Sequence, residues 1–98
     1  MKLEFHPDAA VELVEAAAYY ESQVPGLGER FAAAVRRALD LLLEHPAIGS
    51  PAGLHLRRFV LHRYPFVLYY SVTGDVLRVE AVAHQSRRPG YWRSRVIG

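Results

Sequence analysis

The sequence predicts an α+β domain in which two helices pack on one face of a mostly antiparallel sheet. Two segments with apolar residues at helical spacing lie in the first half of the chain, joined by a short turn at residues 25–28. Three strand-like segments follow, at residues 57–63, 66–73 and 76–84. Because the helices precede these strands as a pair, the order favours a single α+β domain over residues 1–98.

A short strand and the two helices come first. Residues 2–6 alternate polar and apolar side chains, and Pro7 ends that pattern. Helices are predicted over residues 8–23 and 28–44, the second ending before Pro46. Their apolar stripes consist of Ala9, Leu13, Ala17, Tyr20 and Val24, and of Phe31, Ala34, Val35, Ala38, Leu39 and Leu42. Other faces of the first helix are assigned to Glu12, Glu15 and Glu21.

Alternation along the later strands predicts which side chains share a face of the sheet. A tight hairpin at residues 73–75 joins the last two strands. The face toward the helices is predicted to carry Phe66, Leu68, Tyr70, Val72, Leu77, Val79, Ala81 and Ala83. The opposite face is predicted to carry Arg58, His62, Tyr69, Arg78, Glu80 and His84.

Composition excludes several classes of site. The chain has no cysteine, which removes disulfides, thiolate catalysis and cysteine-ligated zinc. Its five histidines lack close ligand spacing, so we expect no metal and no other cofactor. No apolar run approaches the roughly 18 residues of a membrane span, and no signal-peptide pattern opens the chain. We therefore expect a small cytoplasmic protein without a membrane partner.

Charge is strongly polarised along the chain. From Pro51 onward there are eight arginines, no lysine and two acids, which gives +6, whereas the first fifty residues carry four basic and eight acidic side chains, which gives −4. Arginine favours forked contacts to phosphate or carboxylate, so the basic half suggests a recognition surface. A solvated face that only maintains solubility is the alternative interpretation.

Two groups of residues in the basic half are candidates for chemistry. Arg78, Glu80 and His84 on one face would suit metal-free cleavage of RNA. The alternative interpretation is that Arg78 and Glu80 are ordinary surface residues and that His84 caps the strand. Tyr91 and Trp92 lie among arginines, a combination typical of nucleic-acid sites. Trp92 could instead fold back to cover the edge of the sheet.

Three segments carry a resemblance to a known family. They are AAYYESQVPGLGERF at residues 17–31, His45-Pro46 followed by Gly49, and AVAHQSRRPGYW at residues 81–92. The chain resembles the RelE/ParE superfamily of toxins from type II toxin–antitoxin modules, and the last segment resembles the ParE-like, plasmid-stabilisation branch. The resemblance covers nearly the whole chain and implies the same fold that the residue patterns predict.

The resemblance implies a cognate antitoxin with an acidic, amphipathic tail, bound in a hetero-oligomer, and a target whose poisoning arrests growth. ParE-like members poison DNA gyrase without hydrolytic residues, whereas RelE-like members cut messenger RNA on the ribosome. An arginine that is common in the nuclease branch falls here at Val67, which favours the gyrase-binding mechanism. A nucleic-acid-binding module without toxicity is the third hypothesis.

Candidate site residues follow from these hypotheses. Binding to the target or to the antitoxin is assigned to Arg57, Arg58, Arg78, Arg87, Arg88, Tyr91, Trp92 and Arg93. Under the endoribonuclease alternative, the catalytic candidates are His84, Arg63, Arg78, Glu80 and Arg88.

Overall fold

The predicted helices and strands occur in the predicted order, and the structure adds a two-residue strand at residues 50–51 and a short helix at residues 93–97. The computed structural model describes residues 1–97, so Gly98, the last residue of the predicted domain, lies outside the described residues. In chain order the elements are β1 (Lys2–Phe5), α1 (Pro7–Gln23), α2 (Leu27–Glu44), β2 (Ser50–Pro51), β3 (Arg57–Val60), β4 (Phe66–Thr73), β5 (Val76–His84) and α3 (Arg93–Ile97). The strands form one mixed sheet in the order β1-β5-β4-β3-β2, in which only the β1–β5 pair is parallel. The predicted α+β fold class is confirmed.

The turn between α1 and α2 depends on two glycines and one carboxylate. Gly26 has φ +85°, a left-handed conformation that glycine adopts without strain. Gly28 lies so close to α1 that a Cβ would come within 2.5 Å of the Ala17 carbonyl oxygen. The Glu21 carboxylate accepts hydrogen bonds from the N–H groups of both glycines, at 2.9 and 3.1 Å. Glu21 therefore caps the start of α2 while it belongs to α1.

The main core lies between the two long helices and one face of the sheet. Most of the predicted α2 stripe lies in this core, because Phe31, Val35 and Leu42 are buried in the same cluster as residues of the sheet. The Phe31 ring packs against Phe66, with ring centroids 5.0 Å apart. On α1 the prediction extends too far, since Val24 follows the helix and is exposed.

Tyr70 ties the loop after α2 to this core. Its hydroxyl donates to the Pro46 carbonyl at 2.7 Å and accepts from the Gly49 N–H at 3.0 Å. A Cβ at Gly49 would lie 2.5 Å from that hydroxyl, so only glycine fits there without a shift. Pro46 and Gly49 thus both contact one buried tyrosine.

A β-bulge at Glu80 makes part of the predicted face assignment wrong. Tyr70 pairs with Val79 and Tyr69 pairs with Ala81, which leaves Glu80 without a partner in β4. Beyond the bulge the faces exchange, so Val82 joins the main core. Ala81 and Ala83 were predicted to face the helices, but Ala81 packs on the opposite side of the sheet and Ala83 lines a cleft there.

The same bulge separates the predicted trio of polar residues. Arg78 and Glu80 lie on the face away from the helices, whereas His84 pairs with Phe66 and places its ring edge-on to it, with centroids 5.1 Å apart. The prediction that all three share a face is therefore wrong. His62 was also placed on that face wrongly, because β3 ends at Val60 and His62 lies in a groove beside α2.

The face away from the helices carries a second, smaller core. Leu56, Ala81 and Trp92 are buried there, with Tyr69 and Val96 packed against them. The segment from Tyr91 to Val96 and the loop before β3 thus cover part of this face. None of the helices in residues 1–97 combines the length and apolarity that crossing a membrane requires.

Candidate functional site

An ion pair between Glu12 of α1 and Arg95 of α3 holds the C-terminal segment in place. Two guanidinium nitrogens of Arg95 donate to the two carboxylate oxygens of Glu12, at 2.9 and 2.8 Å. The Tyr91 hydroxyl donates to the same carboxylate at 2.8 Å. Both charged side chains are largely buried, with 13% of Glu12 and 11% of Arg95 exposed. Such forked, charge-assisted bonds fix orientation as well as distance.

This ion pair also covers the edge of β5 beyond the end of β1. The Val82 N–H donates to Glu12 at 3.0 Å, and Arg95 donates to the Glu80 carbonyl at 3.0 Å. Both backbone groups would otherwise belong to an open strand edge, since β1 pairs only as far as Val79. The pair therefore satisfies buried backbone groups in addition to two charges.

The surroundings of these three side chains shift their pKa values. Burial alone would raise the pKa of Glu12, but hydrogen bonds from Arg95, the Val82 N–H and Tyr91 outweigh it and hold the pKa below its ordinary 4.5. Burial and the hydrogen bond to Glu12 raise the pKa of Tyr91. The hydrogen bond to Glu12 raises the pKa of Arg95 against the opposing effect of burial. All three groups therefore keep their ordinary charge states near neutral pH.

A cleft beside this segment collects several of the predicted binding residues, and we call it the basic cleft. Its charged lining comes from Arg58 on β3 and from Arg87 and Arg88 in the turn after β5, and His84 at the end of β5 borders the cleft. The cleft has a volume of about 320 Å³, and its described lining contains no acidic residue. Arg87 lies over the Tyr91 ring at 4.0 Å, which orients its guanidinium. The cleft is therefore chemically suited to an anionic group such as a phosphate or a carboxylate.

The two predicted stacking residues differ in what they expose. Trp92 is only 4% exposed and packs on Tyr69, with ring centroids 4.7 Å apart. It therefore serves as a wall of the basic cleft and offers no free stacking surface. Tyr91 is half-buried between Arg87 and Arg95, and its hydroxyl is engaged by Glu12.

His84 has a hydrogen-bond pattern that limits proton transfer. Its Nδ1 accepts from the Ser86 N–H at 3.0 Å and lies 2.7 Å from the Ser86 hydroxyl. In the neutral ring the proton then belongs on Nε2, which makes that nitrogen a donor. A general base needs an available lone pair, and no carboxylate in the described lining of the cleft orients this ring. The cleft is better suited to binding an anion than to proton transfer.

The other predicted site residues lie outside the basic cleft. Arg78 and Glu80 line a separate cleft of about 520 Å³ farther along the sheet, where Glu80 is buried 3.6 Å from Arg78 and accepts from Ser71. Arg57 donates to the Gly49 carbonyl at 2.7 Å, so it braces the loop after α2. Arg63 lies in the β3–β4 turn beside α2, and Arg93 is exposed at the start of α3. The structure therefore assembles only part of either candidate set.

The residue patterns missed the most interconnected pair in the site, Glu12 and Arg95. A signal existed, because Glu12 lies three residues after Ala9 and four before Ala16, both buried on α1. An acid within a buried helical stripe requires a cationic or hydrogen-bonding partner. Within residues 1–97, no group of three or more histidine, aspartate or glutamate side chains is arranged to hold a metal ion.

Comparisons with known proteins agree with the fold and the resemblance. Residues 3–89 match the family model described as ParE toxin of type II toxin-antitoxin system, parDE. A Sinorhizobium fredii protein named "Putative toxin Y4kP" is 35% identical over 65 residues, which are 65% of this chain and 68% of that protein. A solved chain from the "Chromosomal ParDE TA system from P. aeruginosa" shares the fold, with a TM-score of 0.63 and 21% identity over 86% of this chain and 95% of that one.

The match to the family model assigns the chain to a family, because the match extends over most of the sequence. Membership of a toxin–antitoxin system implies a cognate antitoxin as partner. The chain belongs to the ParE toxin family of type II toxin–antitoxin systems.

Proposed function

We propose that this protein arrests growth by binding and poisoning DNA gyrase, and that the basic cleft contributes to that binding. The supporting observation is a cluster of Arg58, Arg87 and Arg88 with no acidic residue in the described lining of the cleft. A binding toxin needs such a surface for phosphate or carboxylate groups and needs no acid–base pair. Gyrase is the target that the ParE-like resemblance implies.

The endoribonuclease alternative has weaker support. Metal-free cleavage requires a base, an acid and a cation within reach of one phosphodiester. His84 adjoins the arginines of the basic cleft, but Glu80 lies in the other cleft and Val67 occupies the position of the arginine common among nucleases. The alternative therefore depends on His84 alone for proton transfer.

The experiment is induction of the chain without its antitoxin, followed by parallel assays for gyrase–DNA cleavage complexes and for messenger cleavage. We expect cleavage complexes to accumulate with both the wild type and His84→Ala. His45→Ala is the matched control, since His45 is an exposed histidine far along the chain from the cleft. Codon-specific messenger cleavage that disappears with His84→Ala, while gyrase is unaffected, would overturn the proposal.

A further inference from the structure

A buried acid with an incomplete set of partners lies on the face of the sheet away from the helices. Glu80 is one of only two acidic residues from Pro51 onward, and only 4% of it is exposed. Its Oε2 atom accepts from the Ser71 hydroxyl at 3.1 Å. Its Oε1 atom has no hydrogen-bond partner in the part of the chain that the structure describes. A buried carboxylate oxygen without a hydrogen bond carries a desolvation cost that a donor would remove.

Arg78 is only a loose partner for this oxygen. Its Nε atom lies 3.6 Å from Oε1 of Glu80, within the range of an ion pair but beyond that of a good hydrogen bond. The Arg78 side chain is 41% exposed, so its guanidinium would be hydrated if it swung outward. A cation that offers Oε1 a direct hydrogen bond can therefore take the place of Arg78.

The β-bulge directs Glu80 onto this face and fixes its backbone. Glu80 has no pairing partner in β4, because Tyr70 pairs with Val79 and Tyr69 pairs with Ala81. Bulges re-aim side chains in this way and are over-represented next to functional sites. The Glu80 carbonyl also accepts from Arg95 at 3.0 Å. The carboxylate is therefore held in position before any ligand arrives.

Glu80 lines the cleft of about 520 Å³ described above, which we call the Glu80 cleft and which has the size of a small-molecule site. Its described lining has two carboxylates, on Glu4 and Glu80, and one guanidinium, on Arg78. Negative charge therefore exceeds positive charge here, in contrast to the basic cleft. Apolar walls come from three residues in different segments, Leu54, Val76 and Val96.

We propose that the Glu80 cleft binds a guanidinium or ammonium group carried on a short aliphatic chain. The head group would donate to Oε1 of Glu80 in place of the loose contact with Arg78, and the aliphatic chain would lie against Leu54 and Val96. A guanidinium fits this role closely, because its forked N–H groups match the two oxygens of a carboxylate. The same head group occurs on free small molecules and on arginine side chains of proteins. This site is separate from the basic cleft and does not depend on the function proposed above.

The test is titration of the full chain with butylguanidinium, followed by amide chemical shifts at constant ionic strength and at about pH 8, where carboxylates are ionised. We expect saturable binding with a Kd on the order of 1 mM and shift changes centred on residues 71–80. Butylurea, a neutral analogue, should bind roughly tenfold more weakly or worse, because it has no charge to pair with the carboxylate. Glu80→Gln should weaken binding of butylguanidinium by a similar factor. Glu15→Gln, the same change at an exposed position of α1, is the matched control and should keep the wild-type Kd.

Two further variants keep the test decisive if Glu80→Gln fails to fold. Arg78→Met removes the cation that competes for Glu80 and should tighten the Kd of butylguanidinium several-fold. Glu4→Gln, on the exposed strand β1, should weaken it several-fold. Equal binding of butylurea, weaker binding to Arg78→Met, shift changes centred on residues 84–92, or no saturation below about 20 mM would overturn the proposal.

A second probe identifies the source of the cation. A tripeptide with a central arginine and blocked ends carries the same head group on a peptide backbone. Binding of the tripeptide as tight as that of butylguanidinium would support a protein side chain as the ligand, and binding roughly tenfold weaker would support a free small molecule. These measurements involve neither gyrase nor toxicity, so they can fail or succeed independently of the cleavage assays.

Discussion

The two faces of the sheet are stabilised in different ways. The face toward α1 and α2 is covered by a large core with 14 buried residues, all apolar apart from the hydroxyl of Tyr70. The apolar cluster on the opposite face has three buried members, Leu56, Ala81 and Trp92, and the ion pair between Glu12 and Arg95 positions the segment that covers it. The contrast shows that a small apolar cluster is sufficient to cover part of a sheet face when a buried ion pair fixes the segment that completes the cluster.

The largest predicted effect is in the large core. Phe31→Ala should lower the free energy of unfolding by about 3–5 kcal/mol, because it leaves a cavity among Tyr20, Tyr64 and Phe66. Urea denaturation followed by circular dichroism measures the loss. Val14→Ala on the exposed side of α1 is the control and should change stability by less than about 0.5 kcal/mol. Equal losses in the two variants would contradict the assignment of Phe31 to the core.

The next prediction tests whether the stability of the sheet face away from the helices depends on charge. Arg95→Met should cost about 3 kcal/mol of unfolding free energy, since Glu12 would remain buried without its cation. The double variant Glu12→Leu/Arg95→Met should regain only part of that loss, because it removes the unpaired buried charge but leaves the Val82 N–H and the Glu80 carbonyl without their partners. Arg93→Met, in the same segment but exposed, is the matched control. If Arg95→Met is no more costly than Arg93→Met, the ion pair does not hold the segment.

A smaller effect follows from the pKa of Glu12. Its pKa in the folded protein lies below the ordinary 4.5, so its stabilisation is complete above about pH 4.5 and is lost as the pH falls through the folded value. The stability difference between the wild type and Glu12→Gln should therefore shrink on acidification, by about 1.4 kcal/mol for each unit of pKa shift. Glu15→Gln, at an exposed position of α1, serves as the control. A difference that stays constant from pH 7 to pH 3 would contradict this role.

The sheet face covered by α1 and α2 was predictable from the sequence, because the apolar residues that pack there recur at regular spacing. Apolar spacing located α1, α2, β4 and β5 to within one residue at each end. Two features of the sheet leave no such signal. The parallel pairing of β1 with β5 depends on how the chain between them is routed, which apolar spacing does not show. The strand β2 has only two residues and lies within a loop rich in proline and glycine.

The opposite face was not predictable, because its contacts depend on a β-bulge and on charged partners that are far apart in the sequence. Alternation assumes an unbroken strand, so the bulge at Glu80 reversed the assignments of Ala81, Ala83 and His84. The partner of Glu12 is 83 residues away in the sequence, and no local pattern connects the two. The candidate site is therefore apparent only in the three-dimensional structure.

The variant with the smallest expected effect on stability is expected to have a clear effect on toxicity. Arg95 and Arg88 lie in the same basic segment, but Arg95 is buried in the ion pair and Arg88 is exposed at the basic cleft. Arg87→Glu/Arg88→Glu should therefore change unfolding free energy by less than about 1 kcal/mol, the loss of one contact between Arg87 and Tyr91 included.

The same double variant should reduce toxicity roughly tenfold or more, because two charges that face an anionic group on the target are reversed. Growth after induction, at matched levels of folded protein, measures this effect. Lys2→Glu/Arg36→Glu has the same change in net charge on exposed surfaces outside the basic cleft, and should remain toxic. Equal loss of toxicity in both pairs would mean that the arginines act through overall charge. A loss restricted to Arg87→Glu/Arg88→Glu would show that the two arginines act through their position at the basic cleft, where Arg87 packs on Tyr91 and the Tyr91 hydroxyl is held by Glu12 of the ion pair.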